Sequence, residues 1–404
     1  MRRLRILVLS PFPPRGQGRH GGSRTIAHRL RAIARHHDVS LLYVHSPNDP
    51  PPDHELVEAC VQVVAVDRSS TEGTLAIAQG AVTLPRVLWR AWRGTPLWVQ
   101  AFRSSVVEQA VRELIARSRP DVIQVEYQVM AQFLPEPPTT PTLLVVHEPA
   151  VRVAENFALT RTGPARLLNQ ADRRAWSRFE RRVGDAADRV VVFTEPDAAV
   201  MRARRPAVVV PLAVPLPEVP LDPLGAEPPS LFFVGNFGHP PNVDAVGWLV
   251  HEIFPLVRAA HPDTRLTVVG DNPPADLVAE EPAGVDFTGG VPEVEPLLDR
   301  AAVFAVPARL GGGMRVKTVE ALAAGKAIVS TPLGVAGLDL AGDEVAIAET
   351  AAAFAAQVNA LLEAPERRRE LARRARAWAE AALAGDEETR SYLSIYSELV
   401  PPRS

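Results

Sequence analysis

A chain of 404 residues with a formal net charge of −3 is too long for one ordinary core, and its charge gives no case for a nucleic-acid partner. Cys60 stands alone, which excludes a disulfide framework and a cysteine metal cluster and fits a reducing cytoplasm. No run reaches the ~20 apolar residues of a membrane span, and the apolar segment Ile6–Leu9 behind Arg2, Arg3 and Arg5 is shorter than a signal core of ~7–15 residues.

Arg5–Leu9 reads as a short buried strand ended by Ser10-Pro-Phe-Pro-Pro14. Glycines and bases follow (Gly16, Gly18, Arg19, His20, Gly21, Gly22), then a helical stretch from Thr25 to His36 and a strand over Val39–Val44. Strand, glycine loop, helix and strand make a parallel-sheet unit, whose ligand end is the carboxyl end of the strand. Gly16-Gln-Gly18 lacks the third glycine of a dinucleotide fingerprint, so Gly21 and Gly22 are read as a close approach to a sugar or phosphate, with a plain flexible loop as the alternative. The alternation continues through Val61–Val66, a helical pair over about 74–117, and strands at Asp121–Val125 and Thr142–Val146. Trp89, Trp92 and Trp98 sit among apolar residues of 84–102; core packing is the plainer reading, an aromatic platform for a sugar or lipid-linked acceptor the sharper one. His147 follows directly on an apolar strand, where functional groups project, although a lone histidine is commonly structural. The stretch Arg161–Arg182 is arginine-rich, but the interleaved acids Asp172 and Glu180 favour a solvated helix face over a membrane-surface patch. Strands at Arg189–Phe193 and Ala207–Val210 close the first half.

Residues 206–230 hold eight prolines, which cannot continue a helix or a central strand. The expected organisation is therefore a Rossmann-like domain over 1–210, a linker over 211–230, a second Rossmann-like domain over 231–385, and a final helix over 386–404 that packs back on the first domain. The second α/β rhythm runs from strand Leu231–Val234 into Gly235 and Asn236, through a helix over 243–260, strands Arg265–Val269, Val285–Phe287 and Val303–Val306, and on to Ala327–Ser330. After Val306 come Pro307-Ala-Arg-Leu-Gly-Gly-Gly313 and then a helical pattern (Met314, Val316, Val319, Leu322, Ala323) closed by Gly325. Strand, glycine loop and helix N-terminus suit a phosphate, because unpaired N–H groups and partial positive charge converge there. Arg315 and Lys317 add cations where the helix dipole disfavours them without an anion, and Glu320 stands three residues beyond Lys317. Lysine is rare here: Lys317 and Lys326 are the only two. A glycine-rich turn capping an ordinary surface helix is the rival reading.

Two such halves resemble the GT-B fold of nucleotide-sugar glycosyltransferases, two Rossmann-like parallel-sheet domains facing across a cleft. The second half resembles glycosyltransferase family 4, of the retaining type, in Phe233-Val-Gly-Asn-Phe237, Pro241-Asn-Val-Asp244, Leu266–Gly270, Val285–Val291 and the run from Val306 to Leu338. The resemblance is strong over 231–340 and looser before it, and the Gly-Gly-Gly-x-Arg-x-Lys loop marks a branch of the family. It implies that Glu320 holds the nucleotide ribose, that His147 lies near the donor sugar or its phosphates, and that Gly21 and Gly22 meet the diphosphate. Gly235, Asn236, Gly311, Gly312 and Gly313 complete the expected donor-binding set, with His147, Arg315 and Lys317 as the catalytic one. Two departures stand out. The family's first motif glutamate is Gly312 here, and the arginine and lysine expected after the first strand of the second domain fall at Asn236 and Pro241. Arg315 and Lys317 are expected to supply the charge those positions lack, and Gly311–Gly313 to replace the missing carboxylate with backbone N–H groups.

The resemblance thus implies transfer of a sugar from a nucleotide-diphosphate donor to a glycan, glycolipid or small-molecule acceptor, with retention, by a cytoplasmic protein or one at the inner face of the membrane in peripheral contact with it. The absence of an Asp-x-Asp motif leads to the expectation of no catalytic metal, and no cofactor beyond the donor is expected. The alternatives are a binding module without turnover and a sugar-nucleotide epimerase of the same fold.

Overall fold

A computed structural model describes residues 2–16, 21–47, 49–68, 93–160, 163–383 and 386–401, without the side chains of 156–160, 163–165 and 167. Gly18, Arg19, His20, Trp89, Trp92 and the first part, 74–92, of the helical pair expected over about 74–117 lie outside the described residues. The chain forms two compact α/β units. The first runs to Leu212 and includes the chain from Glu387 onward; the second is built on Ala213–Asp386.

The first unit contains β1 (Arg5–Ser10), α1 (Gly21–Ala34), β2 (Asp38–His45), β3 (Gln62–Asp67), α2 (Ser105–Ser118), β4 (Val122–Glu126), β5 (Thr142–Val145), α3 (Ala150–Thr160), α4 (Gly163–Ala186), β6 (Arg189–Val192) and β7 (Val208–Val209). Its sheet is parallel throughout, in the order β3-β2-β1-β4-β5-β6-β7. Leu7, Leu9, Leu42, Val44, Ile123, Val125 and Leu144 pack on Val107, Val111, Trp176 and Phe179 to form the core on one face of the sheet. Both faces are covered, which is why these strands read as unbroken apolar runs rather than alternations. Ser104 caps α2 by accepting the Val107 N–H.

The second unit contains β8 (Leu231–Val234), α5 (Pro240–Trp248), β9 (Leu266–Val269), β10 (Val285–Gly289), β11 (Val303–Val306), α6 (Val316–Ala323), β12 (Ile328–Ser330), β13 (Ala346–Ile347), α7 (Ala351–Glu363) and α8 (Pro365–Leu383). Its sheet is again parallel, in the order β10-β9-β8-β11-β12-β13. The helix expected over 243–260 begins at Pro240 and widens into a π turn at Leu249–Ile253 before continuing as Phe254–Ala260. Pro255 stands just beyond that turn, and the widened backbone accommodates a residue with no N–H to donate. Gly325 ends α6 in a Schellman arrangement: the Lys326 N–H reaches the Ala321 carbonyl (3.1 Å) and the Gly325 N–H that of Leu322 (3.0 Å), with Gly325 at φ +70°.

The proline-rich stretch does not hang free. The Leu221 N–H bonds the Ala324 carbonyl at 2.8 Å, the Ala226 N–H bonds that of Arg300 at 2.8 Å, and Arg376 donates to the Pro217 carbonyl at 2.8 Å. Buried Lys326 donates to the carbonyls of Asp222 and Asp299, and burial pushes its ammonium down to about 8. One of the two lysines is thus spent on holding this stretch against the second unit.

The last helix, α9 (Glu387–Leu399), buries Glu388, Tyr392, Ile395 and Tyr396. It belongs to the first unit, through Glu388 to Arg29 (2.9 Å) and through the Tyr396 hydroxyl to Gln124. The arginine-rich helix differs from the sequence expectation in one respect. Asp172 and Glu180 do not alternate with its arginines on the surface. Asp172 accepts the Leu97 N–H at 2.7 Å, Glu180 is 4% exposed, and both lie on the inner side with Trp176 and Phe179.

Candidate functional site

In a doubly wound sheet the ligand end is the crevice at the carboxyl ends of the two strands where the order reverses. In the second unit those strands are β8 and β11, paired at Leu231–Val303 and Phe232–Phe304. Gly235 and Asn236 continue β8, and Pro307–Arg315 continue β11, so the two glycine segments lie side by side. Lys317, in the first turn of α6, reaches back to β8. Its ammonium donates to the Val234 carbonyl at 2.8 Å and to Asn242 Oδ1 at 2.9 Å, and lies 4.7 Å from the centre of the Phe233 ring. Asn242 in turn donates to the Asn236 carbonyl at 2.8 Å, and Asn236 Oδ1 accepts the Gly238 N–H. The charge carried on α6 is thereby delivered to the end of β8, one residue from Gly235.

Arg315 turns inward. Its guanidinium donates to the Gly312 carbonyl at 2.7 Å and to that of Leu310 at 3.0 Å, drawing the carbonyls of the loop to one side. Gly311 and Gly313 adopt φ +103° and +69°, which only glycine enters without strain. On the outer side Arg309 makes a two-point ion pair with Asp244 of α5 (2.8 and 3.1 Å) and stacks on Trp248. Val316, Lys317 and Glu320 are the half-buried residues of α6, while Thr318, Val319, Ala321 and Leu322 face the core.

In the first unit the order reverses between β1 and β4. α1 opens with Gly21 and Gly22 after β1, and His147 follows β5, the neighbour of β4. His147 Nε2 lies 2.6 Å from Glu126 Oε2 at the end of β4. Glu126 is fully buried and also accepts from Arg29 (2.9 and 3.1 Å) and Gln124 (2.6 Å). Burial opposes its charge, but Arg29 and the His147 bond outweigh that and hold the carboxyl at about 2. An ionised carboxylate only accepts, so Nε2 of His147 carries the proton. Burial lowers the basicity of His147, and the Glu126 bond does not offset it, so the ring is neutral near neutral pH with Nδ1 as an acceptor.

Tyr127 stacks on the His147 ring at 4.1 Å between centroids and 3° between planes, and Phe193 meets it edge-on at 5.1 Å. Tyr127 itself sits at φ +65° and ψ 140°, a conformation that costs a non-glycine residue about 1–3 kcal/mol and is found at functional positions. Its hydroxyl comes to 2.2 Å from where a Cβ would stand on Gly22. Gly22 is therefore required by the tyrosine. Glu180 braces the same turn: it accepts the Ala150 N–H (2.7 Å) and a proton of Gln128 (2.8 Å), while Gln128 also donates to the Glu148 carbonyl (2.9 Å). Burial pushes the Glu180 carboxyl up to about 7, against those two hydrogen bonds.

The sequence-derived residues thus form two groups, each at the reversal point of its own sheet. Arg29, Glu126, Tyr127, Gln128 and Glu180 were missed. A signal existed for one of them: Gln124 and Glu126 alternate with valines as a half-exposed strand would, yet both are 0% exposed, which only a buried ion pair explains. Trp98 is 39% exposed and packs on Trp176 and Phe102. Among the described residues, no three histidine, cysteine or acidic side chains are grouped so as to hold a metal ion.

Residues 228–364 match the family model described as glycosyl transferases group 1. That match lies within the second unit, and the structures that superimpose on the whole chain share its fold, GT-B. Sucrose-phosphate synthase from Thermosynechococcus elongatus superimposes with a TM-score of 0.69 at 17% identity, over 98% of this chain and 99% of that one. Anabaena HepE in complex with UDP and glucose gives 0.64 at 14% identity, over 98% and 100%. WaaG, a glycosyltransferase involved in lipopolysaccharide biosynthesis, gives 0.63 at 15% identity, over 98% and 100%. An uncharacterized 44.6 kDa protein of the cps region of Klebsiella pneumoniae is 26% identical over 138 residues. That match takes in 30% of this chain and about a third (35%) of the relative's length. The group 1 match covers the whole of the β8–β11 reversal point and the glycine loop behind it.

Proposed function

We propose that the protein is a retaining glycosyltransferase of family 4, moving a sugar from a nucleotide-diphosphate donor to an acceptor hydroxyl. The observation that carries this reading is Lys317 at the end of β8. The family's usual cations after that strand are replaced by Asn236 and Pro241, and the ammonium of Lys317 stands 2.8 Å from the Val234 carbonyl in the same corner. A diphosphate bound beside Gly311–Gly313 meets that ammonium as the bond to the sugar breaks and charge gathers on the leaving oxygen. Arg315 acts through the loop, by holding its carbonyls back. Glu320, three residues along the same face of α6, takes the ribose.

In the proposed step the acceptor oxygen bonds to the anomeric carbon on the face the leaving group vacates. The bond from that carbon to the phosphate oxygen breaks, and the departing phosphate accepts the acceptor proton. No side-chain base is required. His147 presents Nδ1 as an acceptor, which suits a sugar hydroxyl better than a phosphate oxygen. Metal independence is part of the proposal, tested by activity in a chelator. The HepE complexes with UDP and UDP-glucose make a uridine donor the first to try. The acceptor is a glycan, a glycolipid or a small molecule, in polysaccharide, glycolipid or other glycoconjugate synthesis.

Thermal shift against UDP, GDP, ADP and TDP, on the native protein and on Lys317→Ala, tests the donor site. One diphosphate should raise the melting temperature, and the substitution should weaken its binding about 10–100-fold, the worth of a charge-assisted hydrogen bond to phosphate. No shift with any nucleotide in folded protein refutes the assignment and favours a module without turnover. A C2-epimerised donor would instead identify an epimerase.

A further inference from the structure

We propose that Glu388 on α9 is a positioning residue for His147, acting through Arg29 and Glu126 to keep the ring proton on Nε2 and leave Nδ1 open. The inference rests on the proposed function only for what His147 meets, a hydroxyl of a sugar. Two hydrogen-bonded routes lead from α9 to one carboxylate, all inside the first unit. In one, Glu388 accepts from Arg29 Nε at 2.9 Å, and Arg29 Nη1 donates to both oxygens of Glu126 at 2.9 and 3.1 Å. In the other, the Tyr396 hydroxyl donates to Gln124 Oε1, and Gln124 Nε2 donates to Glu126 Oε1 at 2.6 Å. Both end on the carboxylate whose Oε2 accepts the His147 Nε2 proton at 2.6 Å.

The guanidinium of Arg29 is held at two points and between two rings. Because it is planar and rigid, engaging Nε and Nη1 together fixes its orientation about its flexible stem. It lies 4.9 Å from the centre of the Tyr392 ring of α9 and 5.3 Å from that of Phe193, the ring that meets His147 edge-on. Docking of α9 does not account for this chain of polar groups. Tyr392, Ile395 and Tyr396 already bury one face of the helix, and a buried ion pair adds little stability over apolar residues of the same volume.

The polar chain decides something that packing cannot. Tyr127 and Phe193 fix the plane of the imidazole, but a stacked ring accepts either tautomer. The hydrogen bond at one nitrogen sets the state of the other. Among the described residues, Nε2 is bonded to Glu126 and Nδ1 has no partner, in a side chain that is 7% exposed. Without the charge of Glu388, Arg29 acts on Glu126 alone, and a carboxylate so neutralised accepts less strongly from Nε2. Without the carboxylate altogether, the guanidinium also loses its hold at Nε. Either change weakens the preference for the proton on Nε2.

The test reads His147 directly in the full chain, with isotope-labelled histidine and long-range proton–nitrogen correlation near neutral pH, in the absence of nucleotide. The His147 signals are identified by their loss in His147→Gln. The native ring should favour the proton on Nε2 by at least about tenfold, the worth of a hydrogen bond to a charged group. Glu126→Gln should bring the two tautomers close to equal. Glu388→Gln, which keeps the shape and an acceptor oxygen, should lower the preference about threefold, through the weaker acceptance by Glu126. Glu388→Asp, which keeps the charge, should restore most of it. Ile395→Val is the control: it loosens the packing of α9 away from the polar chain and should lower the melting temperature with the His147 signals unchanged. A mixed or Nδ1-protonated ring in the native protein overturns the proposal. So do native signals in folded Glu388→Gln, or an equal movement of the signals in Ile395→Val, which would reduce Glu388 to a docking contact. No nucleotide is present, so failure of the donor-site assignment leaves this result untouched.

Discussion

His147 donates from Nε2 to Glu126 Oε2 across 2.6 Å, and that carboxylate is held on its other side by Arg29 at 2.9 Å. Arg29 is 1% exposed and Glu126 is fully buried, so each charge depends on the other for its place in the core. Glu126→Ala removes the partner of Arg29 Nη1 and leaves Glu388 alone to balance the buried guanidinium, and should cost about 3 kcal/mol in urea unfolding. His147→Ala leaves the ion pair intact and should cost only about 1–2 kcal/mol. Equal losses would show that the pair is not the structural element described here.

Acid should act through the same carboxylate. Its proton affinity is depressed from 4.5 to about 2 on folding, so its stabilising contribution is complete above about 4.5 and disappears as pH falls towards about 2. Stability measured across that window should fall more steeply in the native protein than in Glu126→Gln.

Glu180 has the opposite sign. Its carboxyl is raised from 4.5 to about 7, so the folded state holds a proton that the unfolded chain has already released. Its contribution is fully present below about 4.5 and is lost as pH rises through about 7, by up to ~3 kcal/mol at ~1.4 kcal/mol per unit. Glu180→Gln, which cannot ionise, should remove that loss of stability between those pH values.

Gly22 and Tyr127 form a testable couple. A methyl group on Gly22 would meet the tyrosine hydroxyl at 2.2 Å and the ring carbon at 3.2 Å. Gly22→Ala should therefore destabilise the first unit by about 1–3 kcal/mol through overpacking. Adding Tyr127→Phe removes the nearer atom and should restore about half. Additive losses in the double variant would mean the two residues do not meet.

The three loop glycines should separate. Gly311→Ala and Gly313→Ala force a side chain into positive φ and should each cost about 1–2 kcal/mol while weakening nucleotide binding. Gly312 is not at positive φ, so Gly312→Ala avoids that backbone strain and should cost less stability than either neighbour, and nucleotide titration then reads the effect of the added methyl.

Much of the architecture was legible in the residues. Apolar runs bounded by glycine and proline located most strands to within a residue or two, because a strand covered on both faces must be apolar throughout. Gly325 closed its helix where the pattern ended, and the glycine loop, Lys317 and His147 all stand at strand carboxyl ends. β13 was missed, since two residues, Ala346 and Ile347, carry no periodicity.

Which polar groups meet could not be read from the linear chain. Arg29, Glu126 and Glu388 are separated by 97 and 359 positions counted from Arg29, and their pairing exists only because α1, β4 and α9 converge in one unit. Asp172 and Glu180 look interleaved with the arginines of α4 when written out, yet helical geometry turns both of them inward. The order of residues determined two parallel-sheet units and the ends at which they carry glycines. The tertiary structure decided the rest, because a buried charge is stable only where folding brings its partner within reach.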